Sequence, residues 1–309
     1  MNAADRKATV GFVGLGMMGT PMAENILKNG HSLVVHDLDP ARVDHLVGLG
    51  AQAGSGRAEV ARRAGVVISM VETTAQTEEV IFGPGGCVEG AQAGDLVIVM
   101  STIDMMALRA MHTRLAARSI GLIDAPVTGM RDKGGAKTAS LKCYVGGDAA
   151  ALERARPVLQ TMTSEVTHFG AIGLGTAMKV VNNMLMQVNR VVIAEGLAMG
   201  AKAGLDPQQM VDTISKTTGN SVAFQYNAPR ILERNFDGIR MDITAKDVEL
   251  QNALGKSLGM PMFMAGMALQ VHQVAKAMGL GSQDAAALVQ VYEQWTGVPV
   301  VPRQQGAGQ

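Results

Sequence analysis

Short apolar runs alternate with longer amphipathic stretches over residues 8–144. Runs rich in β-branched residues predict the strands of a parallel sheet, and the stretches between them predict helices that cover its faces. Each run ends at a glycine, an acid or a Ser/Thr, so we expect polar residues at the carboxyl edge, where open α/β sheets bind ligands. The predicted strands are 9–13, 32–35, 66–70, 96–100, 121–124 and 141–145.

The pattern changes beyond His168. β-Branched runs become rare, and Ala, Met and Leu recur at helical spacing over residues 175–202 and again over 245–278. Asp206 and Pro207 indicate a helix start, with the acid as the cap and the proline in the first turn. The second half of the chain is therefore predicted to be entirely helical.

These patterns predict two domains joined by a long interdomain helix. The fold class is an α/β N-terminal domain with a doubly wound, Rossmann-type sheet, followed by an all-α C-terminal domain. We place the boundary in the glycine-punctuated segment near residue 172. The predicted units are 1–172 for dinucleotide binding, 173–298 for substrate binding and dimerisation, and 299–309 as a loose tail.

Composition narrows the classes of partner. Lys plus Arg balance Asp plus Glu at 27 each, so no excess of positive charge favours nucleic acid or a membrane surface. No apolar stretch reaches the ~18 residues of a membrane span, and the first residues lack the features of a signal peptide. Cys87 and Cys143 are too few for a disulfide framework, which favours a reducing cytoplasm. A small molecule and further copies of the chain remain as expected partners, with no metal.

A glycine motif follows the first predicted strand. Gly14, Gly16 and Gly19 form G-x-G-x-x-G between a strand and a helix, the context that distinguishes a dinucleotide site from an ordinary turn. Gly14 permits the tight turn, Gly16 admits the pyrophosphate and Gly19 lets the helix pack closely. Leu15, Met17 and Met18 lie between these glycines. They are expected to contribute backbone groups to the dinucleotide site and to cover it.

The second predicted strand ends near Asp37, about twenty residues beyond the glycines, where an acid accepts hydrogen bonds from the adenine ribose. A carboxylate there repels a 2′-phosphate, so NAD is favoured over NADP. Arg42 lies close enough in sequence to accommodate that phosphate, which leaves NADP as the less favoured alternative.

Lys179 and Asn183 are four residues apart in a predicted helix, so both side chains emerge on one face and can address one substrate oxygen. Hydride transfer to a carbonyl creates an alkoxide that needs a proton. A lysine desolvated by an apolar cleft can have its pKa lowered towards the range of an acid/base. The surrounding helix is apolar nearly all round, which predicts burial between domains and Lys179 at an internal cleft.

The sequence resembles the β-hydroxyacid dehydrogenase family, which includes 3-hydroxyisobutyrate dehydrogenase, tartronate semialdehyde reductase and 2-(hydroxymethyl)glutarate dehydrogenase. Four motifs match in order over nearly the whole chain. They are the glycine motif, DAPVTG at 124–129, Gly175-x-x-x-Lys179-x-x-x-Asn183, and the pair Lys246 and Asp247. The implied activity is NAD-dependent interconversion of a small 3-hydroxy carboxylic acid with its semialdehyde or ketone.

The resemblance also implies roles for individual residues. Lys179 matches the catalytic lysine and Asn183 the substrate-binding asparagine. Lys246 is implied to close over the cofactor beside the substrate. Residues implied to hold the substrate carboxylate are Thr128, Gly129 and Met130. Residues implied to line the cofactor are Val71, Glu72 and Thr102.

Two alternatives share this scaffold: an imine reductase and a non-catalytic dinucleotide-binding protein. Both classes commonly lack the lysine found here as Lys179. One departure concerns the substrate, because relatives commonly have Ser-Gly-Gly where this chain has Thr128, Gly129 and Met130. Arg131 or Lys133 could recognise a second anionic group, or could be solvated loop charges. Apolar richness of the second half predicts a homodimer or homotetramer.

Overall fold

The computed structural model describes residues 6, 9–129 and 134–303. The chain divides into two compact units, residues 1–179 and 180–309. The predicted boundary at residue 172 remains a prediction. The expected fold class is confirmed: a parallel sheet flanked by helices in the first unit, and helices in the described part of the second.

The main sheet of the first unit has six parallel strands in the order β3-β2-β1-β4-β5-β6. The order reverses between β1 and β4, which creates the switch point where doubly wound sheets bind ligands. β3 was not predicted, because two exposed residues carry no apolar pattern. The strands are β1 Val10–Val13, β2 Leu33–His36, β3 Gln52–Ala53, β4 Val66–Ser69, β5 Leu96–Val99 and β6 Gly121–Asp124.

A second, three-stranded sheet was not predicted. It consists of β7 Val127–Thr128, β8 Leu141–Val145 and β9 Thr163–His168 in the order β7-β8-β9. β7 runs antiparallel to β8, and β8 runs parallel to β9. Assigning 141–145 to the main sheet was therefore wrong. Exposed residues alternate with buried ones along β8, whereas β5 is buried throughout, as expected for strands in a one-sided and a two-sided sheet.

Helices cover the main sheet, and side-chain caps start several of them. Asp39 accepts from the amide of Ala41 before α2, and Asp104 accepts from the amide of Ala107 before α6. The helices of this unit are α1 Gly19–Lys28, α2 Pro40–Gly48, α3 Arg57–Arg63, α4 Thr74–Phe82, α5 Cys87–Gly90, α6 Met105–Ala116 and α7 Ala149–Leu159.

The long predicted helix is α8, Leu174–Lys202, of 29 residues. It begins in the first unit and continues in the second. The expectation that its apolar residues are buried all round is wrong for one face. Val181 is 51% exposed, Leu185 63% and Met199 70%.

The second unit is helical over its described residues. Its first short helix begins as predicted, since Asp206 accepts from the amide of Gln209 at 2.9 Å and Pro207 occupies the first turn. The helical stretch over 245–278 is two helices separated by Pro261. The helices are α9 Pro207–Ile214, α10 Val222–Leu232, α11 Met241–Ser257, α12 Phe263–Ala277 and α13 Val289–Thr296, with a 3₁₀ turn at Ala285–Leu288.

The first residues of the predicted loose tail, 299–309, pack against the rest of the chain. Val300 is fully buried, and its amide donates to Glu293 Oε1 at 2.7 Å. The amide of Arg303 donates to Asp206 Oδ2 at 2.8 Å. The described chain therefore packs against the second unit as far as Arg303. Among the described helices, none has the length and apolar character needed to cross a membrane.

Candidate functional site

The carboxyl ends of the central strands are aligned at one edge of the main sheet. Val13 pairs in register with both His36 and Ser69, Ser69 pairs with Val99, and Val99 pairs with Asp124. Because parallel strands share a direction, the loops that follow these five residues emerge on the same side. Most of the residues predicted for the first unit's site lie in these loops.

The glycine turn after β1 requires glycine at two positions for reasons of packing. Gly14 has φ +97°, and a Cβ there would lie 2.4 Å from the carbonyl oxygen of Met70. A Cβ on Gly19 would lie 2.0 Å from the carbonyl oxygen of Gly14. Gly16 differs, because the nearest atom to a Cβ there is Arg42 Nη1 at 3.9 Å. The backbone at Gly16 is thus bare on its outer side, which fits the approach of a pyrophosphate.

The residues between these glycines have different exposures. Leu15 is fully buried, Met18 is partly buried and Met17 is 58% exposed. Met18 occupies the position before α1 and, within the described part of the chain, its side chain makes no capping hydrogen bond. An uncapped helix start that faces a bare glycine turn fits an anionic group, because helix N-termini present amide donors and positive potential.

Asp37 is tied to the glycine turn. Its Oδ2 accepts from the amide of Leu15 at 2.5 Å, and its Oδ1 accepts from the amide of Asp39 at 2.8 Å. Arg42 Nη1 lies 3.8 Å from the same Oδ1, and the Asp37 side chain is 11% exposed. The structure thus brings together the predicted ribose acceptor and the arginine that kept NADP open as an alternative.

The loops after β4 and β5 are joined by Ser101, which sequence reasoning missed. Its hydroxyl donates to the carbonyl of Val71 at 2.7 Å and accepts from the Val71 amide at 3.0 Å. Thr102 follows and is partly buried, whereas Glu72 is exposed. A serine after a buried strand is too common a signal to have identified this link.

The predicted carboxylate-binding segment lies only partly within the described residues. Thr128 ends β7 and pairs with Lys142 of β8. Gly129 is exposed, and a Cβ there would lie 2.7 Å from Leu141 Cδ2, which explains a glycine at this position. Met130 lies outside the described residues.

The start of α8 is anchored to the main sheet by Asp124. This carboxylate at the end of β6 is fully buried and accepts from the amides of Gly173 at 2.7 Å and Thr176 at 2.6 Å. Burial raises the pKa of Asp124, and the two backbone hydrogen bonds oppose that rise. Gly175 permits the approach, because a Cβ there would lie 2.3 Å from the carbonyl oxygen of Tyr144. Lys179, partly buried, lies one turn beyond Thr176.

In the second unit, Asp247 connects two predicted site residues that lie on different helices. Its Oδ2 accepts from Asn183 Nδ2 of α8 at 2.9 Å, and its Oδ1 lies 3.3 Å from Lys246 Nζ of α11. Asn183 lies one turn beyond Lys179 on α8, as the four-residue spacing predicts. The sequence pattern marked Asp247 as part of a motif but did not reveal this linking contact.

The chain matches two family models in succession. Residues 9–170 match the NAD-binding domain of 6-phosphogluconate dehydrogenase, and residues 173–292 match the NAD-binding domain of NADP-dependent 3-hydroxyisobutyrate dehydrogenase. The first match covers the main sheet with its glycine turn. The second covers α8 and most of the following helices.

Similar proteins span nearly the whole chain. The 2-(hydroxymethyl)glutarate dehydrogenase of Eubacterium barkeri is 36% identical, with 96% of this chain and 98% of the relative covered. A structure of the 3-hydroxyisobutyrate dehydrogenase of Mycobacterium tuberculosis with L-serine is 30% identical, with a TM-score of 0.83, covering 92% and 99%. An imine reductase from Myxococcus stipitatus shares the fold at 18% identity and a TM-score of 0.64, covering 93% and 99%. The chain belongs to the β-hydroxyacid dehydrogenase family of NAD(P)-binding oxidoreductases.

Proposed function

We propose that the chain interconverts a small 3-hydroxy carboxylic acid with its semialdehyde or ketone, with Lys179 as the acid/base. The observation that carries this proposal is the anchoring of α8 by Asp124. The anchor fixes the first turn of α8 at the sheet edge that carries the glycine turn, and Lys179 follows one turn later. The amine of Lys179, held in this way beside the dinucleotide-binding edge of the sheet, is suited to transfer a proton when a hydride is transferred.

Each proposed group has a separate task. Lys179 takes the proton from the substrate hydroxyl on oxidation and returns it on reduction. A nicotinamide dinucleotide held at the glycine turn would supply the hydride chemistry, as acceptor in its oxidised form and as donor in its reduced form. Asn183 directs one amide hydrogen to Asp247, and its second is oriented for the substrate oxygen. Thr128, Gly129 and Met130 hold the carboxylate, and Lys246 contacts the cofactor beside the substrate.

The cofactor is proposed to be NAD rather than NADP. Asp37 already accepts two backbone amides, which hold its carboxylate at the position where it would repel a 2′-phosphate. Arg42 is half-exposed, and its guanidinium lies 3.8 Å from the carboxylate of Asp37 and 3.1 Å from that of Asp39. Its charge is therefore offset by the two acids instead of being available to a phosphate.

A substrate panel tests the activity. Oxidation of 3-hydroxyisobutyrate, glycerate, serine, 3-hydroxypropionate, 2-(hydroxymethyl)glutarate and a sulfonate analogue is followed by absorbance of the reduced nicotinamide, with NAD and with NADP. We expect turnover of at least one 3-hydroxy acid, faster with NAD, and none of lactate, a 2-hydroxy acid. Reduction of a cyclic imine without turnover of any hydroxy acid would favour the imine reductase alternative instead.

The chain is also proposed to form a homodimer or homotetramer through the exposed apolar face of α8. Val181, Leu185, Val192 and Met199 recur at spacings of four and seven residues, the pattern of helices that pair along a seam. Among them, Val192 is 52% exposed. Light scattering should detect an oligomer at micromolar concentration, and Leu185→Glu should shift it towards monomer. A monomeric parent protein would remove this proposal.

A reducing compartment, the cytoplasm, is proposed from the cysteines. Cys87 and Cys143 are both free and buried, and burial raises the pKa of each thiol to about 12. Such thiols are poor nucleophiles and form no structural bridge. Equal thermal stability with and without a reductant is the expected result, and a stability that depends on an oxidant would contradict the assignment.

A further inference from the structure

The side chain of Asp247 contacts two proposed site residues at once, one through each carboxylate oxygen. Its Oδ2 accepts from Asn183 Nδ2 of α8 at 2.9 Å, and its Oδ1 lies 3.3 Å from Lys246 Nζ of α11. Asn183 is proposed to bind the substrate, and Lys246 is proposed to contact the cofactor. Asp247 therefore lies between two residues whose ligands must meet for a hydride to be transferred.

The contact between Lys246 and Asp247 does not follow from helix geometry. Adjacent residues of a helix project about 100° apart, so their side chains do not normally face each other, whereas those three or four residues apart do. Here the ammonium of Lys246 nevertheless lies within ion-pair distance of its immediate neighbour. The lysine side chain is therefore bent around α11 towards the carboxylate that also contacts Asn183 of α8.

Both members of this ion pair are shielded from solvent. The side chain of Asp247 is 12% exposed and that of Lys246 is 23% exposed. A pair at the start of α11, Arg240 with Asp242, is 48% and 41% exposed, with its charged groups 3.9 Å apart. A carboxylate largely removed from water depends on its partners, because the loss of one leaves its charge poorly compensated. The contacts with Lys246 and Asn183 are therefore expected to hold Asp247 in place more firmly than an exposed pair would.

We propose that Asp247 is a positioning residue that couples the binding of the cofactor to the binding of the substrate. This inference rests on the proposed function, which assigns Lys246 to the cofactor and Asn183 to the substrate. A carboxylate is a rigid planar group, so restraining one of its oxygens restrains the other. When Lys246 is held by the dinucleotide, Oδ1 of Asp247 is restrained, and through Oδ2 so is the amide of Asn183. The substrate then binds an amide whose orientation is already fixed, and its binding costs less conformational entropy.

The coupling is measured with NADH and the hydroxy acid that turns over fastest in the substrate panel. Both ligands are in the reduced form, so they do not react with each other. In the parent protein the Kd of the hydroxy acid, measured by calorimetry, should be about tenfold lower with saturating NADH than without it. Coupling between two sites is reciprocal, so the Kd of NADH, followed by its fluorescence, should fall by the same factor when the hydroxy acid is saturating.

Asp247→Asn tests the inference, because asparagine has the same shape and no charge to pair with Lys246. The ratio of the two Kd values of the hydroxy acid should fall to within about twofold of unity, while each ligand alone still binds. A merely structural role would instead lower the Tm or weaken both affinities by a common factor, and the ratio would not change. Asp242→Asn is the matched control: it makes the same chemical change in an exposed pair of α11, and the ratio should equal that of the parent protein.

Lys246→Met tests the same link from its other end, and it replaces Asp247→Asn if that variant does not fold. Removal of the ammonium should lower the ratio equally, and the double variant should show no further fall, because both substitutions break one path. An unchanged ratio in Asp247→Asn would overturn the inference and would indicate that the two ligands are coupled by direct contact. Independent losses that multiply in the double variant, or a ratio of one in the parent protein, would also overturn it.

Lys179→Ala, assayed alongside, separates this inference from the proposed function. It should lose turnover but keep the Kd ratio of the parent protein, because Lys179 is not part of the link between Lys246 and Asn183. Full turnover in Lys179→Ala would reject the proposed function, and failure of every hydroxy acid to bind would reject both. Loss of turnover in Lys179→Ala together with an unchanged ratio in Asp247→Asn would reject only the coupling.

Discussion

The two units hold their proposed functional groups by different means. In the first, the backbone forms the site: the glycine turn is fixed by contacts that a Cβ would block, as at Gly14 and Gly19. In the second, side chains on two helices form it, because Asp247 of α11 accepts from Asn183 of α8 at 2.9 Å. A backbone site depends on a few glycines and tolerates other changes. A side-chain network is sensitive to single polar substitutions and to pH.

The largest expected effect comes from the glycine turn. Gly19→Ala should lower the free energy of unfolding by about 4 kcal/mol, and Tm by roughly 10 °C, because its Cβ meets a backbone oxygen that cannot move aside. Gly16→Ala is the matched control, with open space around its Cβ. It should retain Tm but weaken NAD binding by about tenfold or more, since the methyl group faces the pyrophosphate. Calorimetry measures the Tm of both variants, and titration measures their affinity for NAD. A Gly19→Ala variant as stable as the parent protein would contradict the packing argument.

Replacing Asp124 tests whether its buried carboxylate anchors α8, the helix that carries Lys179. Asp124→Ala should cost about 3 kcal/mol of unfolding free energy, because two buried amides lose their acceptor. Turnover should fall as well, because the first turn of α8 is released. Asp148→Ala removes an exposed carboxylate that also accepts two amides at a helix start, and should cost about 1 kcal/mol without affecting turnover. Equal costs measured by urea unfolding would argue against the anchor.

His272 makes the second unit sensitive to acid. Burial lowers its pKa from 6.5 to about 4, so the folded protein holds it neutral while the unfolded chain takes up a proton. Stability is therefore retained above pH 6.5 and lost as the pH falls from there towards 4, by up to about 3 kcal/mol. Urea unfolding at pH 7 and pH 4.5 measures this, and His272→Gln should reduce the difference. His45→Gln, which removes one partner of an exposed ion pair, should leave this difference in stability unchanged.

The smallest expected effect concerns the choice of cofactor. Asp37→Ser removes the carboxylate that repels a 2′-phosphate, so the preference for NAD over NADP should fall about tenfold. The ratio of kcat/KM with the two cofactors measures this. Asp44→Asn, an exposed acid of α2, serves as the control and should leave the ratio unchanged. An unchanged ratio in Asp37→Ser would show that Asp37 does not read the ribose.

Much of the first unit could be predicted from sequence, because its signals are local. β6 was predicted with its observed bounds, 121–124, and the glycine turn was recognised from spacing alone. β8 was assigned to the wrong sheet, since a five-residue apolar run does not reveal its partner strand. The predicted loose tail failed at Val300, where a buried position depends on contacts with distant Glu293.

The supporting contacts of the site could not be predicted in the same way. Asp124 and Asp247 both lie in recognised motifs, yet their roles arise from residues 49 to 64 positions away. The spacing of a motif indicates which residues contact a ligand. The residues that position those side chains are identified only from the packed structure.

The most direct test of the account is the kcat of Lys179→Ala with the substrate found in the panel, measured together with its Kd for NAD. We predict a loss of turnover of ~10²-fold or more with nearly unchanged NAD affinity, because the lysine transfers the proton and does not hold the dinucleotide. Lys202→Ala, near the end of the same helix, should behave like the parent protein. Equal turnover in Lys179→Ala and the parent would contradict the proposed chemistry.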